Sequence, residues 1–295
     1  GNGSNGEECI FKGVGTVQIL PVRYNPNKID HVENIETVSL FQAEGKNISY
    51  ADVLEAIKQA GVNEGDTIFV HSDVTVFGKL LCKDKSVLLG NIVKALQDSV
   101  GKHGTIVMPT FTYSFCRGKE YDHHKSPSTV GVLTEFFRNQ PSVSRTLHPL
   151  FSAAIWGRNT NLFLQVGPDS FGKDSIFSKL HEHKGKVLFF GAPFQSGTFM
   201  HYVEQSFGVP YRYFKFFQGA VRSNGRIFQD TARLFVRDLD SNVTYSAARF
   251  EQHLLARQLM NKAALGNGSL LLVSAETLYD EGVNCLQQDI NFFRG

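Results

Sequence analysis

The stretch Gly65-Asp66-Thr67-Ile68-Phe69-Val70-His71-Ser72-Asp73 decides the fold class. A β-branched and aromatic run follows a turn-forming Gly-Asp pair and stops at three polar residues, the pattern of a short strand that ends at a polar edge. Upstream, Ser49 can cap a helix in which Val53, Leu54 and Ile57 share one side, with Gly61 as its stop. Downstream, a helix from about Ser86 aligns Leu88, Leu89, Ile92, Val93 and Leu96, and Gly104 leads into a second strand, Thr105-Ile106-Val107-Met108. This alternation predicts an α/β protein with a largely parallel central sheet flanked by helices.

The alternation continues through a helix at Val130–Phe137, a strand at Ser152–Trp156, a helix at Ile176–Leu180 and a strand at Lys186–Phe190. Beyond it, the β-like segments Tyr211–Val221 and Arg226–Val236 flank Ser223-Asn224-Gly225, which predicts an antiparallel hairpin excursion. A helix over Ala247–Lys262, a strand at Leu270–Val273 and a last helix from Glu276 complete the pattern. Residues 1–48 show only short β-rich pieces such as Val17-Gln18-Ile19-Leu20 after a low-complexity start, and read as an N-terminal appendage to one domain over 49–295.

Of the 295 residues 42% are hydrophobic and 20% charged, an ordinary globular composition. Thirty Lys+Arg against 28 Asp+Glu leave a formal charge of +2, which removes the signature of a general nucleic-acid binder. No apolar run reaches the roughly 20 residues that cross a bilayer and no signal-peptide pattern opens the chain, so a cytoplasmic protein without membrane insertion is expected. Cys9, Cys82, Cys116 and Cys285 are scattered and read as reduced thiols. His123-His124 and His181-Glu182-His183 lack the helical i, i+4 histidine pair of a metalloprotease, and no metal site is expected.

Open α/β sheets bind ligands at the carboxyl edge of their strands. Three polar segments fall there: His71-Ser72-Asp73-Val74, Pro109-Thr110-Phe111-Thr112, and Gly191-Ala192-Pro193 with the following helix. In Ser126-Pro127-Ser128-Thr129-Val130-Gly131, hydroxyls precede an apolar helix, a place for a phosphate as well as for a simple N-cap. His148, beside Pro149 where a loop meets a strand, suits a positioned general base, although a lone histidine is more often structural. His201 and Glu204 lie three apart on one helix face, where the carboxylate can orient an imidazole or simply form a surface pair. Nothing in its sequence neighbourhood marks Cys116 as an activated nucleophile.

Taken in order, these segments resemble the aminoglycoside 3-N-acetyltransferase family, the antibiotic N-acetyltransferase fold distinct from the GNAT fold. The matching words run from Gly65-Asp66 to Ser72 with Gly78, through Gly104–Thr112, Ser126–Arg138 and Arg145–Ser152, to Gly185–Gly191, Thr198, His201 and Glu204. The resemblance implies acetyl-CoA or another acyl-CoA as co-substrate and transfer to an amine of a sugar or aminocyclitol, by a monomer or homodimer. It suggests His148 as general base with Glu204 supporting its imidazolium, and His201, His71, Asp73 and Asp122 in reserve. It places CoA contacts at Ser72, Asp73, Val74, Phe77, Gly78, Thr110, Ser128, Thr129, Val130 and Gly131, with oxyanion donors near Ser72 and Thr110.

Two features bear on the acceptor. A polycationic drug calls for uncompensated carboxylates, and no acidic cluster stands out. The segment Phe207–Phe217, with Arg212 and Lys215, suits nucleotide stacking and phosphate pairing as well as an apolar sheet face. The expected acceptor is therefore a nucleotide-linked amino sugar for surface polysaccharide synthesis, with aminoglycoside acetylation and antibiotic resistance as the alternative. A metal-dependent hydrolase and a non-catalytic CoA- or sugar-binding module are the readings from other classes.

Overall fold

In the computed structural model, which describes residues 38–238 and 244–295, a hairpin of β1 (Ser39–Ala43) and β2 (Lys46–Ser49) runs into helix α1 (Tyr50–Gln59). Ser49 caps that helix: its hydroxyl accepts from the Asp52 N–H, and the Asp52 carboxylate accepts from the Ser49 N–H at 2.8 Å. Strand β3 (Thr67–Ser72) follows, then β4 (Lys79–Leu80), α2 (Lys85–Val100) and β5 (Thr105–Pro109). Next come β6 (Tyr121–Asp122), α3 (Val132–Arg138), β7 (Ser144–Arg145), β8 (Ala153–Gly157), α4 (Thr160–Leu164), α5 (Ile176–Glu182), β9 (Lys186–Phe190) and α6 (Phe199–Phe207). The chain then forms β10 (Arg212–Ser223), β11 (Arg226–Arg237), α7 (Ala248–Ala256), β12 (Asn261–Leu265), β13 (Gly268–Ser274) and α8 (Ala275–Gln288).

Seven strands form the main sheet, in the order β12-β13-β9-β3-β5-β8-β7. The α/β class is as expected, but parallel pairing is confined to β9, β3 and β5 at its centre. Strand β8 is antiparallel to β5, because the chain that leaves β5 enters β8 from the same end, and β13 returns antiparallel beside β9. Successive residues of the central strands face opposite layers, as a pleated strand requires. Ile68, Val70, Ile106, Leu188 and Phe190 pack with α1, α2 and α3, while Phe69, Val107, Val187 and Phe189 pack with α5, α6 and α8. Both faces of the sheet are therefore buried, which is why its strands read as continuous apolar runs.

The excursion after Tyr211 is a ribbon of two twelve-residue strands in which Ser223 pairs with Arg226 around Asn224-Gly225. Both turn residues have positive φ, 49° and 77°, the requirement of a tight hairpin turn that matches strand twist. The outer edge of β11 is closed at its middle by the loop after α4: the Arg233 N–H donates to the Pro168 carbonyl at 2.8 Å and the Ser170 N–H to the Arg233 carbonyl at 2.9 Å.

The helix expected over Ala247–Lys262 stops at Ala256. Gln258 turns the chain with φ 55°, and Asn261–Leu265 becomes β12, whose Ala263 and Leu265 alternate into the core opposite β13. Pairing at the sheet edge overrides the helical spacing of the leucines before it. Leu40 and Phe41 of β1 are fully buried, so residues 38–48 pack into the same core as α1 and α2. The rest of the expected appendage, including Val17–Leu20 and Cys9, lies outside the described residues. Among the described residues no helix is long and apolar enough to cross a membrane.

Candidate active site

Helix α6 begins beyond the carboxyl end of β9 and drives Phe199, Met200 and Val203 into the core. The face beside them carries His201 and Glu204, one turn apart. Glu204 is fully buried, and its Oε2 lies 2.8 Å from His201 Nδ1 and 2.9 Å from an Arg212 guanidinium nitrogen. Its Oε1 accepts from the Tyr211 hydroxyl at 3.1 Å. Burial alone would raise this carboxyl, but Arg212 and the His201 hydrogen bond outweigh it and hold the group below the usual carboxylate range.

An ionised carboxylate has no proton to give, so the 2.8 Å contact puts the hydrogen of His201 on Nδ1 and leaves the Nε2 lone pair open. The His201 side chain is 25% exposed, at the edge of the buried cluster. Burial, then the neighbouring Arg212 charge, lowers its pKa against the pull of Glu204, so the ring is neutral at neutral pH. A neutral imidazole held from behind by a carboxylate, with the other nitrogen free, is the arrangement of a general base. Tyr245 packs edge-on against the ring at 5.2 Å, and Phe171 does so from another side at 5.5 Å.

The expected pair of His148 and Glu204 is not what the fold assembles. His148 is buried, its Nδ1 accepts the N–H groups of Leu150 and Phe151 at 3.1 and 3.0 Å, and its Nε2 lies 3.3 Å from the Pro168 carbonyl. Both nitrogens are thus used to hold a turn, and burial brings the ring down to about 4. His71 faces the α5/α6 layer, stacked on Phe189 at 5.4 Å, and burial lowers it to about 3. Its Nε2 has no hydrogen-bond partner among the described residues. Phe151 and Phe171 stand between His148 and His201, with ring contacts of 6.4, 4.9 and 5.5 Å in series.

The residues expected to meet CoA divide into two groups. Ser72, at the end of β3, lies beside Gly131: a Cβ on that glycine would sit 3.7 Å from the Ser72 carbonyl oxygen. The Thr129 N–H donates to the Phe111 carbonyl at 2.9 Å, and Ser128 bonds Thr134 through its hydroxyl. Ser72, Thr110 and the segment Ser128, Thr129, Val130 and Gly131 therefore gather at the carboxyl edges of β3 and β5. Asp73 turns back to cap Thr75, and Val74 is buried. Phe77 and Gly78 depart from the expectation: Phe77 is fully buried against Phe41 and Phe190, and Gly78 is backed by the Gln42 carbonyl. Their side of the turn is taken up by packing on β1.

Arg145 staples this edge together. Its guanidinium donates to the carbonyls of Thr110 at 2.7 Å and Ser126 at 2.6 Å, and to the hydroxyls of Thr110 and Ser152. That commits the Thr110 hydroxyl, whereas Ser72 Oγ has no partner among the described residues. Asp122 accepts the N–H groups of His124 and Lys125 and so shapes a turn, while His123 reaches the Arg145 carbonyl at 2.7 Å. Burial pushes the Cys116 thiol up to about 12, which leaves it unreactive. Among the described residues, no group of three His, Cys, Asp or Glu side chains could hold a metal ion.

The sequence model of the aminoglycoside 3-N-acetyltransferase family matches residues 69–287. The chain belongs to that family. Aminoglycoside 3-N-acetyltransferases and their relatives supply the similar proteins. The SPbeta prophage-derived aminoglycoside N(3')-acetyltransferase-like protein YokD of Bacillus subtilis is 30% identical over 184 residues, 54% of this chain and 65% of that protein. Aminoglycoside N(3)-acetyltransferase IV of Salmonella sp is 30% identical over 166 residues, 55% of this chain and 60% of that protein. The matched part thus spans less than two thirds of either relative. The structure of AAC-IIIb in binary complex with CoASH superposes with a TM-score of 0.70 at 24% identity, over 82% of this chain and 97% of that one, and shows the same fold.

The relatives are named for aminoglycosides, which overturns the expectation of a nucleotide-linked amino sugar acceptor and of a role in surface polysaccharide synthesis. Of the segment behind that expectation, Arg212 is committed to Glu204 at 5% exposure and Phe217 belongs to the core, while Tyr213, Phe214 and Phe216 remain exposed. The net charge of a whole chain says little about one site. Sequence reading also missed Tyr211 and Arg212 as partners of Glu204, since only the fold of the ribbon brings them back to α6.

Proposed function

We propose that the protein is an acetyl-CoA-dependent N-acetyltransferase acting on an amine of an aminoglycoside, with His201 as general base and Glu204 orienting it. The observation that carries the reading is the 2.8 Å contact of His201 Nδ1 with a buried carboxylate. The names of the relatives support the acceptor, and the CoASH complex of AAC-IIIb supports the donor. A cytoplasmic location fits an enzyme that draws on acetyl-CoA.

An ammonium group has no lone pair, so the acceptor must first lose a proton to solvent. As the amine nitrogen forms its bond to the acetyl carbon, its remaining excess proton passes to His201 Nε2, and Glu204 meets the positive charge that develops on the ring. Collapse of the tetrahedral intermediate breaks the carbon–sulfur bond, and the leaving thiolate takes the proton held on His201 Nε2, which restores the neutral base. The acyl donor is assigned to the edge built by Ser72, Asp73, Val74, Thr110, Ser128, Thr129, Val130 and Gly131. The oxyanion is assigned to donors at this edge, where Ser72 Oγ is buried beside Gly131 without a partner among the described residues.

The test is thiol release from acetyl-CoA across a panel of aminoglycosides, with mass spectrometry of the product. Saturable release with a gain of one acetyl group is expected. His201→Gln is expected to lower turnover by about two to four orders of magnitude, the size of a lost acid–base catalyst. His148→Gln, once shown to be folded, should retain turnover; the reverse pattern would return the base role to His148.

A further inference from the structure

The Glu204 carboxylate carries one negative charge and is approached by two groups able to hold a positive one. His201 Nδ1 and the Arg212 guanidinium reach the same oxygen, Oε2, at 2.8 and 2.9 Å, and lie 3.1 Å from each other. Both oxygens are occupied, since the Tyr211 hydroxyl takes Oε1. The carboxylate is fully buried and the Arg212 side chain is 5% exposed, so solvent neither screens this contact nor offers the charge another partner. The Glu204 charge is therefore already compensated by a cation that cannot lose its proton.

We propose that Arg212 is a positioning residue that keeps His201 in its neutral, proton-accepting form, by taking the share of the Glu204 charge that an imidazolium would otherwise hold. The proposal rests on the reading of His201 as the base. A histidine backed only by a buried carboxylate gains a proton readily and would meet its substrate already charged, with no lone pair to offer. With the guanidinium on the same oxygen, a proton added to the ring meets a like charge within hydrogen-bonding distance. The carboxylate still orients the ring through Nδ1, so orientation and basicity are set by different neighbours.

The other groups around the ring agree with this division. Glu204 faces it from α6, Arg212 from β10 and Tyr211 from just before that strand, Arg237 from β11, Tyr245 from the segment before α7, and the apolar Phe171 from the loop before α5. Burial and then the Glu204 charge keep both tyrosines protonated and neutral. Arg237, half-buried, adds to the positive field. Glu204 is thus the negative group and Arg212 the positive group in direct contact with the imidazole.

The experiment follows the His201 ring by NMR in protein labelled at histidine, with the signal assigned by its loss in His201→Gln. In the wild type, His201 is expected to titrate below the ordinary histidine value of about 6.5. Arg212→Gln and Arg212→Met, the second keeping the apolar stem, are expected to raise that titration by about one pH unit or more. The acid limb of kcat/KM should move up by the same amount, while Arg212→Lys, which keeps the charge, stays near the wild type. A folded charge-removing variant with an unmoved titration overturns the proposal. A wild-type value above the ordinary one overturns it even if neither variant folds. The NMR reading needs no turnover, so loss of the base assignment would show separately, as activity surviving His201→Gln.

Discussion

His201 Nδ1 lies 2.8 Å from Glu204 Oε2, one turn further along α6, and this contact decides which ring nitrogen faces outward. Glu204→Gln keeps the size of the side chain and an oxygen for Nδ1–H but removes the charge that meets an imidazolium. Turnover is expected to fall about 10- to 1000-fold with the dissociation constant of acetyl-CoA unchanged. Steady-state kinetics beside calorimetric titration of acetyl-CoA check this, and equal loss in both would place Glu204 in the donor site instead.

Gly131 starts α3 with φ 146°, a backbone conformation that side chains resist, beside the Ser72 carbonyl. Gly131→Ala should shift the loop that faces Ser72 and raise the KM for acetyl-CoA about tenfold, a change of about 1.4 kcal/mol. The KM for the aminoglycoside should stay within about twofold. An acetyl-CoA KM that does not respond removes this loop from the donor site.

The buried His148 makes stability depend on pH. Its folded-state value of about 4 lies below the ordinary histidine value, so the unfolded chain binds the extra proton first. The contribution is complete above about pH 6.5 and is lost as pH falls towards 4, about 3 kcal/mol in all. His148→Asn keeps an acceptor for the Leu150 and Phe151 N–H groups without the titration. Urea unfolding at pH 7 and pH 4.5 should therefore show a smaller loss in the variant, and an equal loss would contradict the assignment.

Phe77→Ala opens a cavity beside Phe41 and Phe190, where the ring centroids stand 5.7 and 4.8 Å away. A cost of about 3–5 kcal/mol is expected, with acetyl-CoA affinity of the folded fraction unchanged. Weaker acetyl-CoA binding at full stability would instead make Phe77 a cofactor contact.

What was legible in the sequence was local. The Ser49 cap, the strands at Thr67, Thr105 and Lys186 and the Asn224-Gly225 hairpin follow from residues within a few positions of one another, and the fold keeps them all. The boundary between α7 and β12 was hidden because the partner that makes Asn261–Leu265 a strand is β13. The site shows the same division. The helical spacing of His201 and Glu204 was visible, but a surface pair has the same spacing. Burial by Arg212 and Tyr211 is what separates the two; both lie within eight residues of Glu204, but only the turn after α6 brings their side chains back onto it. His148 looked positioned because a proline and a strand flank it, and it is indeed positioned, as the acceptor of its own turn.

The contact between Pro168–Ser170 and Arg233 has a bearing on how this molecule behaves when concentrated. The outer edge of a long strand such as β11 presents a row of amide groups that a second molecule can extend, and here the chain's own loop pairs with that row at Arg233. The tip of the ribbon stays open and apolar, with Ile227 and Phe228 53% and 39% exposed. Ile227→Lys places a charge at that open tip, far in sequence from His201, and is a substitution to make when solubility limits work on this protein.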